Sequence, residues 1–217
     1  MKRDGSCGEP MPLMRVCVVD EESGDGAPNR VLTRSGQRGE LLIKGALNMR
    51  EYWNKPEQTK QALVDLGGEY GAGWFCTGDI ATLDSDGFIY IVDRKKDLII
   101  RGGENISCSE VESALYTHPA VLECAVFGLK DSRLGERVGA CVVLKPGSSA
   151  TAAELLSHVS SAKLLAQFKT PLPGDVFVQR EQLLRGETGK ILKREIREHF
   201  NALLEQANNN TLPVSRL

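Results

Sequence analysis

Residues 98–128, "LIIRGGENISCSEVESALYTHPAVLECAVFG", predict a strand, a turn, a helix and a second strand in succession. The apolar "LII" is typical of a brief strand, and "RGGEN" places two glycines in a tight turn. A helix follows, because Ser107 and Glu110 stand at capping-box spacing and Pro119 lies just beyond its expected end. The apolar run "AVLECAVFG" then predicts a strand.

The same alternation continues to residue 200. The runs "RVGACVVLK" and "DVFVQR" predict two further strands. Between them, "TAAELLSHVSSAKLL" predicts a second helix, for which Thr151 and Glu154 provide another capping box. The segment "KILKREIREHF" opens a final helix. The predicted order is β-α-β-β-α-β-α, which is a compact α+β unit.

The first part of the chain favours β structure with turns. Between residues 14 and 45, "MRVCVVD" and "GELLIKG" are short apolar runs separated by a stretch rich in Gly, Asp and Pro. "KPEQTKQAL" predicts a short helix, and "TGDIATLDSDGFIYIVDR" predicts two strands joined by the turn "DSDG". The charged junction Asp93–Asp97 marks a domain boundary, with residues 1–95 before it and 96–217 after it. A polar tail is expected from about residue 205.

The composition excludes several classes of protein. A hydrophobic content of 41% and a charged content of 26% are ordinary for a globular domain. The formal net charge of −2 gives no basic surface, so a nucleic-acid partner is not expected. We expect no membrane span, because no apolar run approaches the roughly 20 residues that one requires. The N-terminal "MKRDGSCGEPMP" also lacks the apolar segment of a signal peptide.

The cysteines favour a structural rather than a metal-binding role. There are six of them: Cys7, Cys17, Cys76, Cys108, Cys124 and Cys141. None forms a C-x-x-C pair, so neither a zinc site nor a redox site is predicted. Several lie within apolar runs such as "ECAVFG", where we expect small buried side chains in a reducing compartment.

Lys190 raises the question of which anion it meets, because it follows a glycine turn in "RGETGKILK". A phosphate-binding P-loop requires G-x-x-x-x-G-K-[ST]. Here Gly186 and Gly189 are two residues too close, and Ile191 occupies the position of the hydroxyl. The residues alone leave a solvated lysine in a surface turn as the alternative.

Four motifs, in order, resemble those of one enzyme family. They are "GELLIKGALNMREYWNKPEQT", "GWFCTGD", "DRKKDLIIRGGENISCSEVE" and "ETGKILKREIR". From about Ser6 to Phe200 the chain is similar to the acyl-adenylate-forming (ANL) superfamily of acyl-CoA synthetases, luciferases and nonribosomal-peptide adenylation domains. Two positions depart from the family pattern: Glu51 stands where Gly is usual, and Leu184 stands where Pro is frequent.

This resemblance implies that residues 1–95 are the β-rich end of a large N-terminal adenylation domain and that 96–217 form a small α+β C-terminal lid domain. It implies that Asp79 accepts hydrogen bonds from both ribose hydroxyls of ATP or AMP, since a carboxylate offers two acceptor oxygens. Arg94 would contact ribose or phosphate, and Lys96 would be the hinge of the lid. The alternatives are a turn-capping aspartate and two solvated surface cations.

The resemblance also answers the question about Lys190. In the family, the equivalent lysine reaches the reacting carboxylate and the α-phosphate during adenylation, where a cation offsets developing charge. Gly102 and Gly103 match the loop that approaches the pantetheine chain of CoA, and a simple turn between strand and helix is compatible with that role.

The implied reaction joins ATP, a carboxylic acid and CoA to give acyl-CoA, AMP and pyrophosphate, with a fatty or aromatic acid as substrate. The phosphate-binding loop, the Y-G-x-T-E glutamate that helps to hold Mg²⁺ and the acyl pocket are all missing from the sequence. We therefore expect no complete activity from this chain alone, and a missing N-terminal half is an expected partner. The alternatives are a non-catalytic binding module that docks on a full-length relative or a separate N-terminal half, an adenylation domain that loads a carrier protein, and a luciferase-type oxidation.

The last three residues, Ser215, Arg216 and Leu217, differ by one conservative exchange from the S-K-L peroxisomal address. They predict a peroxisomal import receptor as a partner and the peroxisome as location. A chance match is the alternative, and it leaves the cytoplasm as the expected location.

Overall fold

The computed structural model describes residues 3–20 and 31–210, with side chains up to residue 207. The chain divides into two compact units, Met1–Lys96 and Asp97–Leu217. Within the described ranges, no helix is long and apolar enough to cross a membrane.

The first unit is an antiparallel sheet of six strands with one short helix. Its elements are β1 (Met14–Val19), β2 (Val31–Leu32), β3 (Arg38–Gly45), α1 (Pro56–Ala62), β4 (Leu63–Asp65), β5 (Ala72–Leu83) and β6 (Ile89–Arg94). The strand order is β2-β1-β3-β5-β4, and β6 pairs with β5. The predicted turn "DSDG" is confirmed, because the Asp84 carboxylate accepts hydrogen bonds from the N–H groups of Asp86 (2.9 Å) and Phe88 (3.0 Å).

Both faces of this sheet bury apolar side chains. Trp74 and Leu42 lie in a cluster on one face, and Leu41 and Ala81 lie in a cluster on the other. Successive residues of a strand point to opposite faces, so runs such as "ELLI" supply both clusters at once. Strand β5 begins at Ala72, earlier than predicted, and carries Trp74 into the core.

The second unit is a mixed sheet with three α-helices. Its elements are β7 (Ile99–Arg101), β8 (Glu104–Ile106), α2 (Cys108–Tyr116), β9 (Val121–Asp131), β10 (Gly135–Leu144), α3 (Ala152–Ser161), β11 (Val176–Gln179) and α4 (Lys193–Asn210). The strand order is β11-β10-β7-β8, and β9 pairs with β10. The predicted α+β class is confirmed, and β8 is a strand that the sequence did not predict.

Side-chain caps fix the starts of two helices as expected. The Ser107 hydroxyl accepts a hydrogen bond from the Glu110 N–H, and α2 starts at the next residue. At α3 the capping box is complete: the Glu154 carboxylate accepts from the Thr151 N–H at 2.7 Å, and the Thr151 hydroxyl accepts in return. Such caps satisfy N–H groups that the helix itself leaves unpaired.

Helices cover both faces of the second sheet. On one face, α2 and α3 bury Val111 and Leu155 against the strands, and on the other α4 buries Ile196 and Phe200. Phe200 stacks on Phe177 with ring centroids 4.0 Å apart. Because both faces are covered, every residue of 124–129 in β9 and of 138–144 in β10 is buried, and the continuous runs without charged residues follow from that burial.

The last helix differs from the prediction at both ends. It begins at Lys193 rather than at Lys190, because residues 185–191 form a bridged loop in which Arg185 pairs with Ile191. It continues to Asn210, past position 205, where the sequence suggested a polar tail. The surroundings of Lys190 are therefore those of a loop.

Burial makes most of the cysteine thiols poor nucleophiles. It raises the pKa of Cys17, Cys76 and Cys141 to about 11 and that of Cys124 to about 12. Cys7 is exposed. Since only the thiolate reacts, we expect iodoacetamide at pH 8 to modify Cys17, Cys76 and Cys141 about 100-fold more slowly than an ordinary thiol and Cys124 about 1,000-fold more slowly. Peptide mapping after timed alkylation should show Cys7 labelled first, and rapid labelling of Cys124 in the native chain would contradict the described packing.

Candidate functional site

A bulge in β5 sets the position of the "TGD" motif. On β3, Glu40 pairs with Ile80 and Leu42 pairs with Cys76, so three residues, Thr77–Asp79, lie opposite a single residue of β3. Bulges re-aim side chains and are frequent beside functional sites. This one displaces the motif from the regular pairing of the sheet.

Asp79 and Arg94 form the centre of the candidate site in the first unit. They lie directly opposite each other on β5 and β6, and Arg94 Nε is 2.7 Å from Asp79 Oδ1. The Asp79 N–H donates to the Thr77 hydroxyl oxygen (3.1 Å), and that hydroxyl donates to the Leu41 carbonyl (2.7 Å). The side chains of Asp79 and Arg94 remain 22% and 55% exposed, so both are accessible to a polar ligand.

The junction between the units leaves one exposed lysine between two anchored neighbours. Lys95 Nζ is 2.7 Å from Glu40 Oε2, which ties residue 95 to β3 of the first unit. The thiol of Cys108 donates to the carbonyl of Asp97 (2.6 Å), which ties residue 97 to the second unit. Lys96 lies between them and is exposed.

Gly102 and Gly103 form the turn between β7 and β8. Their φ angles are +60° and +89°, and positive values at both central residues are typical of a two-residue hairpin turn. The Gly102 N–H donates to the Leu134 carbonyl at 2.8 Å. A side chain added at Gly103 would meet open space, so the backbone of this turn is accessible.

Lys190 lies at the end of a tight loop in the second unit. The Gly189 N–H donates to the Gly186 carbonyl (2.8 Å), and the Gly186 N–H donates to the Lys190 carbonyl (2.9 Å). Gly189 has φ +78°, a value that favours glycine. Lys190 is exposed, and no acidic side chain in residues 3–20 or 31–207 pairs with its ammonium group.

The predicted site residues thus fall into four groups, one of which is Lys96 by itself at the junction. Asp79 is in contact with Arg94, Gly102 is joined to Gly103, and Lys190 stands alone in its loop. Sequence reasoning missed Thr77 and the ion pair of Glu40 with Lys95. The motif "TGD" is a signal for Thr77, but the partners of an ion pair 55 residues apart depend on strand pairing.

No metal site is present among the described parts of the chain, where no three His, Cys, Asp or Glu side chains are grouped to hold an ion. The candidate residues offer charged and polar contacts. In the first unit these are the Asp79 carboxylate beside the Arg94 guanidinium, and in the second the Lys190 ammonium, which has no acidic partner among the described residues.

Comparison with known proteins places this chain beside one class of enzyme. Residues 110–190 match the family described as the AMP-binding enzyme C-terminal domain. Among curated proteins, the chain is 42% identical over 196 residues to the long-chain-fatty-acid–CoA ligase of Bacillus subtilis (strain 168), covering 90% of this chain and 32% of the ligase. It is also 42% identical over 196 residues to a feruloyl-CoA synthase of Amycolatopsis sp, covering 90% of this chain and 36% of that protein.

Solved structures agree with this relationship. ATP-bound MatB from Rhodopseudomonas palustris matches with a TM-score of 0.78 and 32% identity, over 92% of this chain and 36% of MatB. The o-succinylbenzoate CoA synthetase of Bacillus subtilis, with its acyl-adenylate intermediate, matches with a TM-score of 0.72 and 33% identity, over 88% and 35% of the two chains. The resemblance to the C-terminal part of acyl-adenylate-forming enzymes is confirmed, and the chain spans about a third of the length of the curated relatives it matches.

Proposed function

We propose that this chain is the C-terminal portion of a carboxylate–CoA ligase. The reaction is RCOO⁻ + ATP → acyl-AMP + pyrophosphate, followed by acyl-AMP + CoA → acyl-CoA + AMP. The observation that carries the proposal is the Asp79–Arg94 pair, which occupies motif positions within a chain related to acyl-CoA ligases over nine-tenths of its length. The names of relatives that act on long-chain fatty acids and ferulate support a fatty or aromatic acid as substrate.

In this proposal the first unit binds the nucleotide. Asp79 accepts hydrogen bonds from the two ribose hydroxyls, because its two oxygens match two adjacent donors. Arg94 already holds one of those oxygens through Nε at 2.7 Å and donates from Nη1 to the Thr77 carbonyl at 3.4 Å, so Nη2 is the group that would reach ribose or phosphate. The bulge at Thr77–Asp79 and the hydrogen bond from the Asp79 N–H to the Thr77 hydroxyl fix the backbone that carries this carboxylate.

The second unit supplies the lid. Lys190 reaches the substrate carboxylate and the α-phosphate during adenylation and offsets the charge that develops on phosphorus. Its unpaired ammonium can move into the site without first breaking an ion pair with a described residue. A loop that enters the site for one half-reaction and leaves for the next is a common form of gating.

In this proposal the thioester half-reaction uses a different loop of the lid, the turn between β7 and β8. The accessible backbone at Gly102 and Gly103 lies beside the pantetheine chain of CoA as its sulfur attacks the acyl-AMP. Lys96 is the proposed hinge, because it lies between a residue whose side chain is tied to β3 and one whose carbonyl is tied to Cys108 of α2.

Other parts of the catalyst lie outside this chain. A loop for the β- and γ-phosphates, a glutamate for Mg²⁺ and the acyl pocket are expected on a preceding N-terminal portion. Mg²⁺, which that glutamate would help to hold, would neutralise part of the charge on the phosphates. Adenylation by residues 1–217 alone is therefore not expected.

A carrier protein is the second candidate acceptor. The chain is 37% identical over 195 residues to a fatty acid–[acyl-carrier-protein] ligase, ScoC, of Streptomyces coeruleorubidus. A phosphopantetheine arm ends in the same thiol as CoA, so the turn at Gly102 and Gly103 would serve either acceptor. A non-catalytic module that docks on a full-length relative is the third candidate, and co-purification with that relative would favour it.

For location, we propose the peroxisome through Ser215, Arg216 and Leu217, with the cytoplasm as the alternative. These residues lie outside the described ranges. Fluorescent fusions that end in the native tripeptide or in Ser-Arg-Ala should differ in location if an import receptor reads it.

The function can be tested in a chimera. This chain would replace the matching third of the Bacillus subtilis long-chain-fatty-acid–CoA ligase, and acyl-CoA formation would be followed by mass spectrometry. We expect ATP-dependent acyl-CoA and AMP in equal amounts, and none from the relative without its C-terminal third. A folded chimera that makes no acyl-CoA would argue for the docking module.

A further inference from the structure

The loop that carries Lys190 is held on its N-terminal side by Arg185. The guanidinium Nη2 of Arg185 is 2.6 Å from Glu123 Oε1, and its Nη1 donates to the carbonyl of Gly189 at 2.7 Å. One side chain therefore joins β9 to the residue just before Lys190. The planar guanidinium suits this task, because it presents several donors in fixed directions.

On its C-terminal side the loop is held by Lys193. Lys193 Nζ is 2.7 Å from Glu112 Oε1 on helix α2, and the same oxygen accepts the Val126 N–H at 2.8 Å. The two charged side chains are only 26% and 15% exposed. Burial acts to lower the pKa of Lys193, but the Glu112 carboxylate outweighs it and the pKa is raised, so the ammonium stays charged.

Between these two ion pairs the loop is also held by backbone hydrogen bonds and by Ile191, which packs against the apolar cluster that contains Phe200. Its own contacts include backbone hydrogen bonds such as that from the Leu192 N–H to the Leu184 carbonyl (2.9 Å). Gly189 offers no side chain, and Lys190 is exposed. Both acidic partners belong to the α2–β9 segment, so the ion pairs tie a glycine loop to the rigid part of the unit.

We propose that Glu123–Arg185 and Glu112–Lys193 are positioning pairs that hold the loop in the shape that presents Lys190. This rests on the role proposed above for Lys190. A displacement of about 1 Å at a reacting group can cost about 10²-fold in rate, so the backbone that carries a long lysine side chain has to be fixed. Arg185 and Lys193 act through Lys190 and touch no substrate.

The pairs can be tested on the 217-residue chain without any ligand. Amide hydrogen exchange of Gly189 and Leu192 would be measured by NMR in the wild type, Glu123→Gln and Glu112→Gln. Loss of a charged hydrogen bond should speed their exchange about tenfold. Glu110→Gln is the matched control, because Glu110 also lies on α2 and pairs with a lysine, Lys169, at 2.7 Å.

Exchange at a core amide distinguishes a local effect of the positioning pairs on the loop from a loss of stability of the whole unit. Exchange at Val142, in the middle of β10, should stay unchanged in all three variants. Unchanged loop exchange in both test variants, or loop exchange that rises only in step with Val142, would overturn the proposal. In the chimera, the same variants should lower kcat for adenylation while KM for ATP stays unchanged. Faster loop exchange with unaltered adenylation would overturn the positioning role of the pairs, whereas unaltered adenylation in Lys190→Ala would overturn the role proposed for Lys190, which distinguishes the two failures.

Discussion

Lys190→Ala in the chimera is expected to slow adenylation by about 10²- to 10³-fold, the usual cost of removing one group that stabilises transition-state charge. Thioester formation from preformed acyl-AMP should be largely spared. The reason is that the lysine acts only while charge develops on the α-phosphate. Pyrophosphate exchange into ATP reports the first half-reaction, and release of AMP from synthetic acyl-AMP and CoA reports the second.

The control for this substitution is Lys60→Ala on α1, which removes an exposed lysine of the other unit. It should leave both half-reactions intact. An equal loss of both half-reactions in Lys190→Ala would be incompatible with a role confined to adenylation, and no loss in either would return Lys190 to the status of a solvated surface residue.

Asp79→Asn is expected to raise KM for ATP about 10- to 100-fold in the chimera, because a hydrogen bond to a charged group contributes about 1.5–3 kcal/mol. The amide keeps the size of the side chain but replaces one acceptor oxygen with a donor. It also loses the charge that pairs with Arg94 at 2.7 Å. Initial rates at varied ATP, with carboxylate and CoA saturating, would measure the effect.

Asp86→Asn is a matched control for the loss of an ion pair. Asp86 lies in the turn of the same β5–β6 hairpin, pairs with Arg3 and is 59% exposed. We expect KM for ATP to stay unchanged in this variant. If both substitutions raised KM alike, a general disturbance of the hairpin would explain the result better than lost ribose contacts.

Local chemistry made much of the fold predictable. Thr151 and Glu154 carry the two halves of a capping box three residues apart, so their spacing marks the start of α3 correctly. Strand β8 was missed because its three residues include Glu104 and Asn105, which have no apolar pattern. It becomes a strand only through antiparallel pairing with β7.

The candidate site also has a part that the sequence predicts and a part that only the structure reveals. Asp79, Arg94 and Lys190 stand in short motifs, so the sequence alone could nominate them. The ion pairs proposed to position Lys190 could not be predicted from the sequence. Arg185 and Glu123 are 62 residues apart, and their contact depends on how α4 and the loop before it pack on β9. Sequence spacing carries no signal for such a partner.

The central claim is that this chain takes part in making an acyl-adenylate, and transfer of oxygen from carboxylate to AMP tests it most directly. The chimera would be incubated with ATP, CoA and a fatty acid in which both carboxyl oxygens are ¹⁸O. The ¹⁸O content of the AMP would then be measured by mass spectrometry. Formation and cleavage of acyl-AMP predicts one ¹⁸O in each AMP, and little labelled AMP from Lys190→Ala in the same time. Acyl-CoA formed with unlabelled AMP, or with ADP and labelled phosphate, would contradict the account.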